Sequence, residues 1–254
     1  MPRVRRTVPT VEKVIFLSDL HFPHHDPDAI NLALSFVRWF EPEYVYLIGD
    51  LVDFYALSSF SKDPNRALEL QTELDMAVSF LGTLRKACPD AHIYFREGNH
   101  EDRLSRYLKA HPEIFNLRAL TMKSLLKLDK FDIKHYSYRD DLFHNNFSVE
   151  HGDVVRKNSA YTAAAMLAKR VKSGISGHTH RLGSHYKSYR DRTFVWYENG
   201  CLCQTDPEYI IGVPDWQQGF TVGYWLEASQ RVILDQICIV DKKIFYQGVL
   251  FKIS

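Results

Sequence analysis

The sequence predicts an α/β fold, and three observations carry that reading. Short apolar runs alternate with amphipathic stretches through the first hundred residues. Small and polar residues follow each apolar run directly: Ser18-Asp19, Gly49-Asp50 and Gly98-Asn99. From Lys172 onward the pattern is mostly that of strands.

Taken in order, Val14 to Leu17 reads as a buried strand. Asp26-Pro27 resembles a helix start, with an N-cap followed by proline at the first helical position. Ile30, Leu34, Val37 and Trp39 to Phe40 follow at helical spacing. Tyr44 to Ile48 is a second strand. Asp63-Pro64 opens another helix, with Leu68, Leu74, Val78, Leu81 and Leu84 as its inner stripe and Cys88-Pro89 as its stop. His92 to Phe95 is a third strand. Residues 101–128 read as helical, Phe131 to Tyr136 and Phe147 to Glu150 as strands, and Asn158 to Val171 as an alanine-rich helix. Later strands are expected at 172–176, 193–199, 218–225, 231–239 and 243–252. The order strand, helix, strand, helix, strand places the polar residues at the carboxyl ends of strands, where α/β folds bind ligands.

The 254 residues suit one domain over 1–254, with no repeat or Pro/Gly/Ser linker. Hydrophobic residues at 45% and charged residues at 25% exclude a disordered chain. A formal net charge of +1 excludes a global preference for polyanions. No apolar run reaches the ~20 residues of a membrane span. Met1 to Thr10 is basic, and no apolar run of signal length follows it. Cys88, Cys201, Cys203 and Cys238 complete no zinc-finger spacing and read as reduced, mostly packed thiols, Cys201 and Cys203 sharing a face if extended. A cytoplasmic location is the expectation.

Five clusters stand just past expected strands: Asp19-Leu20-His21, Gly49-Asp50-Leu51-Val52-Asp53, Gly98-Asn99-His100-Glu101, His151-Gly152 and Gly177-His178-Thr179-His180. Singly each is an ordinary turn or a structural histidine. Together they offer carboxylate, imidazole and amide oxygen, a donor set suited to Mn, Fe, Zn or Ni. Two histidines one residue apart can serve adjacent metals.

This order of motifs, from Asp19 to His180, resembles the calcineurin-like metallophosphoesterase superfamily. The resemblance implies a four-layer α/β/β/α sandwich of two mixed sheets flanked by helices, with the late β-rich stretch in the second sheet. It implies two divalent metal ions, Mn first. Asp19, His21 and His180 would hold one, and Asn99, His151 and His178 the other, with Asp50 bridging. The pair would activate a bridging water and clamp phosphoryl oxygens. It implies that His100 stabilises the phosphoryl group or protonates the leaving oxygen, and that Asp53 orients His100.

The chain departs from the family pattern in two places. Phosphoprotein phosphatases carry Arg-Gly where this sequence has Phe54-Tyr55, and the first motif lacks flanking glycines. A phosphodiester of nucleotide or nucleic-acid type is therefore the expected substrate, with a phosphomonoesterase or phosphoprotein phosphatase as alternative. A binding scaffold, such as the retromer subunit with this fold, is disfavoured by the intact ligand set. Around the site, His24 and His25 read as groove-lining or exposed loop residues, Glu101 as a helix N-terminal carboxylate, and Arg103 as a phosphate contact or an ion-pair member. Residues 156–192 hold nine Lys/Arg against Asp191, with Tyr186 and Tyr189 interleaved. That segment is either a solvated surface or a basic collar that gathers a polyanion.

Overall fold

The structure is a computed structural model that describes residues 10–59, 70–190, 192–206, 212, 214–226, 229 and 231–253. The expected helix start at Asp63-Pro64, Leu68, the basic start through Pro9, and Asp191 lie outside the described residues.

Strand β1 (Val11–Leu17) is fully apolar from Val14, because both its faces are buried. Val14 and Phe16 face one core, Ile15 and Leu17 another. Helix α1 (Pro27–Phe40) starts where Asp26 accepts from the amides of Asp28 and Ala29. Strand β2 (Tyr44–Leu47), helix α2 (Leu70–Ala87), β3 (His92–Arg96) and α3 (Glu101–Ala110) follow. The expected continuous helix over 101–128 breaks after Ala110, where His111 precedes Pro112 and leaves the helical region. Only a four-residue α4 (Met122–Leu125), capped by Thr121, and two 3₁₀ turns continue it. Next come β4 (Ile133–Tyr136), β5 (Phe143–His144), β6 (Phe147–Glu150), α5 (Tyr161–Arg170) and β7 (Gly174–Ser176). The chain then forms β8 (Gly183–Tyr189), β9 (Arg192–Glu198), β10 (Gly219–Leu226), β11 (Arg231–Cys238), β12 (Lys243–Tyr246) and β13 (Val249–Lys252).

Two large mixed sheets result, with strand orders β11-β10-β1-β2-β3-β4 and β5-β6-β7-β9-β8. In the first, β1 to β4 run parallel, and β10 and β11 are antiparallel. Between the sheets Phe16, Tyr46, Phe147, Val149, Ile175, Tyr197 and Trp225 form one core. Outside the first sheet α1, α2 and α3 cover a second core, and outside the other sheet α5 packs Ala163, Met166 and Leu167 on Trp196. The layering is α/β/β/α.

The late β-rich stretch divides between the sheets: β7, β8 and β9 lie in the second sheet as expected, whereas the strands after them do not. Strand β10 returns to pair with β1, and β11 pairs with β10 at the sheet edge. The expected strand 243–252 is a hairpin, with Gln247 (φ 47°) and Gly248 (φ 83°) making its two-residue left-handed turn. It seals α1 by placing Tyr246 and Phe251 5.4 and 5.5 Å from the Phe36 ring. Strand β8 was not among the expected strands.

Candidate metal centre

Five loops converge beyond the carboxyl ends of β1, β2, β3, β6 and β7. Asp19, His21, Asp50, His178 and His180 all adopt left-handed backbone, with φ between 51° and 72°. Such conformations cost non-glycine residues on the order of 1 kcal/mol or more each and persist where the surroundings impose them. Glycine is required where the loops touch. A Cβ on Gly49 would lie 2.7 Å from the Gly98 Cα, and one on Gly98 2.6 Å from the Asp50 amide nitrogen.

One triad is Asp19, His21 and His180, all buried. The His180 Nε2 lies 3.3 Å from Asp19 Oδ1 and 3.1 Å from His21 Nε2. A second is Asp50, His151 and His178. There His151 Nε2 lies 3.2 Å from Asp50 Oδ2 and 2.9 Å from Asn99 Oδ1. Asp50 stands between the triads, its Oδ2 also 3.6 Å from His21 Nε2. The His151 Nδ1–H donates to the Ile48 carbonyl, which turns its Nε2 lone pair to the centre. Buried oxygen and nitrogen donor atoms thus converge on one small space. His21 Nδ1 makes no hydrogen bond of good geometry, with Asp53 Oδ1 beside it at 3.4 Å. The donor set and this crowding fit divalent cations.

The electrostatics show what a cation would replace. Burial alone would raise the Asp50 carboxyl, but the His100, His151 and His21 imidazoles hold it well below the usual range. His151 runs the opposite way: burial lowers it, and the Asp50 carboxylate outweighs that, pushing it up to about 9. Burial, then the charge of His151, press His178 down to about 4. Protons on imidazole therefore balance the carboxylates where cations would otherwise do so, and cation binding should release them.

His100 sits at the mouth. Its Nδ1 lies 2.8 Å from the Asp53 carbonyl and 3.1 Å from Asp53 Oδ1, and its Nε2 faces Asp50 Oδ2 at 3.8 Å. Arg103 forms no ion pair among the described residues and lines the cavity beside Asn99 and His178. It donates to the Asp53 carbonyl at 2.6 Å and to His100 Nε2 at 3.0 Å. Arg103, Arg106, Ser58, Ser59, Asn99 and His178 border a cavity of about 380 Å³. Phe54, where phosphoprotein phosphatases carry arginine, is fully buried and donates its amide to Glu73. His24 and His25 are half-buried rather than exposed, and His25 packs on Phe22.

Glu101 is more than a helix N-terminal carboxylate. It is fully buried and accepts four backbone amides, those of Asp50, Leu51, Val52 and Gly98, at 2.7–3.1 Å. It ties the loop after β2 to the loop after β3. Glu198 was not singled out at all. Its buried carboxylate accepts from the Ala163 amide and from Thr179 Oγ1, fixing the turn between His178 and His180. Neither residue stands in a spacing that sequence could flag, apart from Glu101's place beside His100.

Most of the basic segment is engaged elsewhere or held away from the site, Arg156 and Lys157 on the exposed loop after β6 excepted. Arg170 pairs with Glu150 through three hydrogen bonds, Lys169 with Asp153, and Arg181 with Asp215. Lys172 lies over the Phe143 ring. Lys187, Arg190 and Arg192 sit at the tip of the β8–β9 hairpin, whose other end, Gly183 with Glu198, adjoins Ser176 at the site. Along the strands Lys187 lies four residues from that end and Arg192 six, roughly 13 and 20 Å.

A family model described as calcineurin-like phosphoesterase matches residues 12–182. The gene 54 protein of Mycobacterium phage D29 is 28% identical over 224 residues, covering 82% of this chain and 87% of the relative. The UDP-2,3-diacylglucosamine hydrolase of Neisseria meningitidis serogroup B is 22% identical over 248 residues, covering 78% and 96%. Among solved structures, vacuolar protein sorting 29 of Cryptosporidium parvum superposes with a TM-score of 0.50 at 13% identity, covering 95% of this chain and 98% of that one. That likeness concerns the fold.

Proposed function

The chain belongs to the calcineurin-like phosphoesterase family, and from that premise we propose that it hydrolyses phosphodiesters of nucleotide type at a dinuclear metal centre. It is a metal-dependent phosphoesterase. The observation that carries the reading is the pair of triads joined by Asp50. In this reading Asp19, His21 and His180 hold one cation, Asn99, His151 and His178 the other, and Asp50 both. Bound there, two cations would supply Lewis acidity to phosphoryl oxygens and acidify water. The mixed oxygen and nitrogen donors suit Mn first, and Fe, Zn or Ni next. A single catalytic domain over 1–254 agrees with β10 pairing back onto β1 and carrying β11 with it.

The chain's own residues then divide the work. When the Arg103 guanidinium leaves His100 Nε2 for a substrate oxygen, that nitrogen can carry a proton and deliver it to the departing oxygen. Asp53 holds the opposite Nδ1–H and stabilises the imidazolium. Arg103 and Arg106 border the cavity beside Asn99 and His178 and meet the anionic remainder of the substrate. Glu101 and Glu198 hold the ligand loops still.

A diester is favoured over a phosphoprotein because Phe54 is spent in the core. One relative is named for a nucleotide-linked substrate, UDP-2,3-diacylglucosamine, which supports a nucleotide-type ester. The test is a panel of nitrophenyl phosphate mono- and diesters, cyclic nucleotides, nucleotide-linked sugars, oligonucleotides and phosphoserine peptides, each with Mn, Ni and Zn. Diesters should turn over fastest. Faster turnover of phosphoserine peptides than of any diester would defeat the preference.

A further inference from the structure

Behind His180, on the side away from Asp19, lies a donor set of different character. Cys201 and Cys203 occupy an extended segment, bridged to Gln218 and His25 respectively. Residues two apart on such a segment project to the same side. Both thiols are buried and neither is in a disulfide. The Cys203 Sγ lies 3.8 Å from His180 Nδ1, and Cys201 Sγ, Cys203 Sγ and a His180 ring nitrogen all lie within 4.8 Å of one another. We propose that Cys201, Cys203 and His180 Nδ1 form a second, thiophilic metal site, which takes a soft d¹⁰ ion such as Zn(II), Cd(II) or Cu(I).

Ligand chemistry separates this site from the main centre. The main centre offers carboxylate, imidazole and amide donors, whereas this one offers two sulfurs and a nitrogen, the set that selects soft ions. Its neighbours leave it closed: the Trp216 ring packs 4.2 Å from His180, and the nearby Gln217 carbonyl accepts from the Cys201 thiol.

The shared imidazole couples the two sites. A neutral imidazole has one nitrogen lone pair. When His180 uses Nε2 beside Asp19 and His21, Nδ1 carries the proton and points it at Cys203. A soft ion on Nδ1 therefore needs that proton to leave, or needs Nε2 to give up its own cation. At neutral pH the two uses of His180 oppose each other, and a soft ion should weaken the main centre only through these thiols. That coupling rests on the metal reading above; the thiolate site itself does not.

The full chain carrying Cys88→Ser and Cys238→Ser retains only this pair of thiols. After chelation, titration with Cd(II) should raise an ultraviolet thiolate-to-metal charge-transfer band that saturates at one equivalent. The band should vanish when Cys201→Ser and Cys203→Ser are added, or with Cys203→Ser alone should the double change prevent folding by circular dichroism. Excess Mn(II) should move the Cd(II) midpoint upward by roughly tenfold or more. No band, or a band that survives loss of both thiols, overturns the site. A band whose midpoint ignores Mn(II) overturns the role of His180 while leaving the phosphoesterase reading untouched, since the latter is read from turnover.

Discussion

At the scale of single residues, charge and proton position decide what each group does. His100 stands outside both triads although its Nε2 is close enough to His21 and Asp50 to join them, and its ring is held by Asp53 and Arg103. His100→Asn should therefore leave metal content unchanged and lower turnover by ~10²–10⁴, the usual worth of a positioned acid or base. The loss should shrink for esters with very acidic leaving groups. Loss of a metal from that variant, by elemental analysis, would make His100 a ligand instead. Glu101 makes a different prediction. Glu101→Gln turns an amide N–H toward backbone N–H groups that now find an oxygen, and each buried donor left unpaired costs ~1–3 kcal/mol. Urea denaturation should show a loss of at least that size. An unchanged midpoint would deny Glu101 its tie between the loops. The ligand residues were legible because each falls just after an apolar run. The work of Glu101 was not, because its partners at Leu51 and Val52 are about fifty residues away in sequence.

Elements place those residues, and local chemistry made some elements readable. Asp26 and Pro27 start α1 by contacts within three residues, so the start was plain in the sequence. Sheet membership was not, because β10 pairs with β1 across some two hundred residues and nothing in either strand names its partner. The break after Ala110 could have been found at Pro112. The β8–β9 hairpin carries a functional consequence. Its basic tip points away from the ligand loops, so replacing Lys187, Arg190 and Arg192 together with Gln should leave oligonucleotide hydrolysis unchanged across salt concentrations. A steeper or shallower salt slope in that variant would restore the tip to the substrate path. Arg103→Gln should instead weaken catalysis, since that guanidinium touches His100 and borders the cavity.

For the whole molecule, the interface between the sheets sets both stability and the spacing of the two ligand groups. His144 lies in that interface against Tyr44, Tyr46 and Trp225, with its Nδ1 hydrogen-bonded to the Tyr46 hydroxyl at 2.6 Å. Burial pushes its pKa down from 6.5 to about 4. The folded state thus keeps His144 neutral where the unfolded chain takes a proton. Above pH 6.5 the residue costs nothing, and between pH 6.5 and 4 it should remove about 1.4 kcal/mol of stability per pH unit. His144→Gln should flatten the pH dependence of the urea midpoint in that window, and an unflattened curve would place the acid sensitivity elsewhere. The same packed sheets bring the loops from β1 and β7 against those from β2, β3 and β6, with Asp50 at the seam. The most direct test of the account is the metal content of purified protein beside that of Asp50→Asn, with folding checked by circular dichroism. The account predicts two cations per wild-type chain, with both sites weakened and turnover almost abolished in the folded variant. A folded Asp50→Asn protein with unchanged metal content and full activity would contradict it.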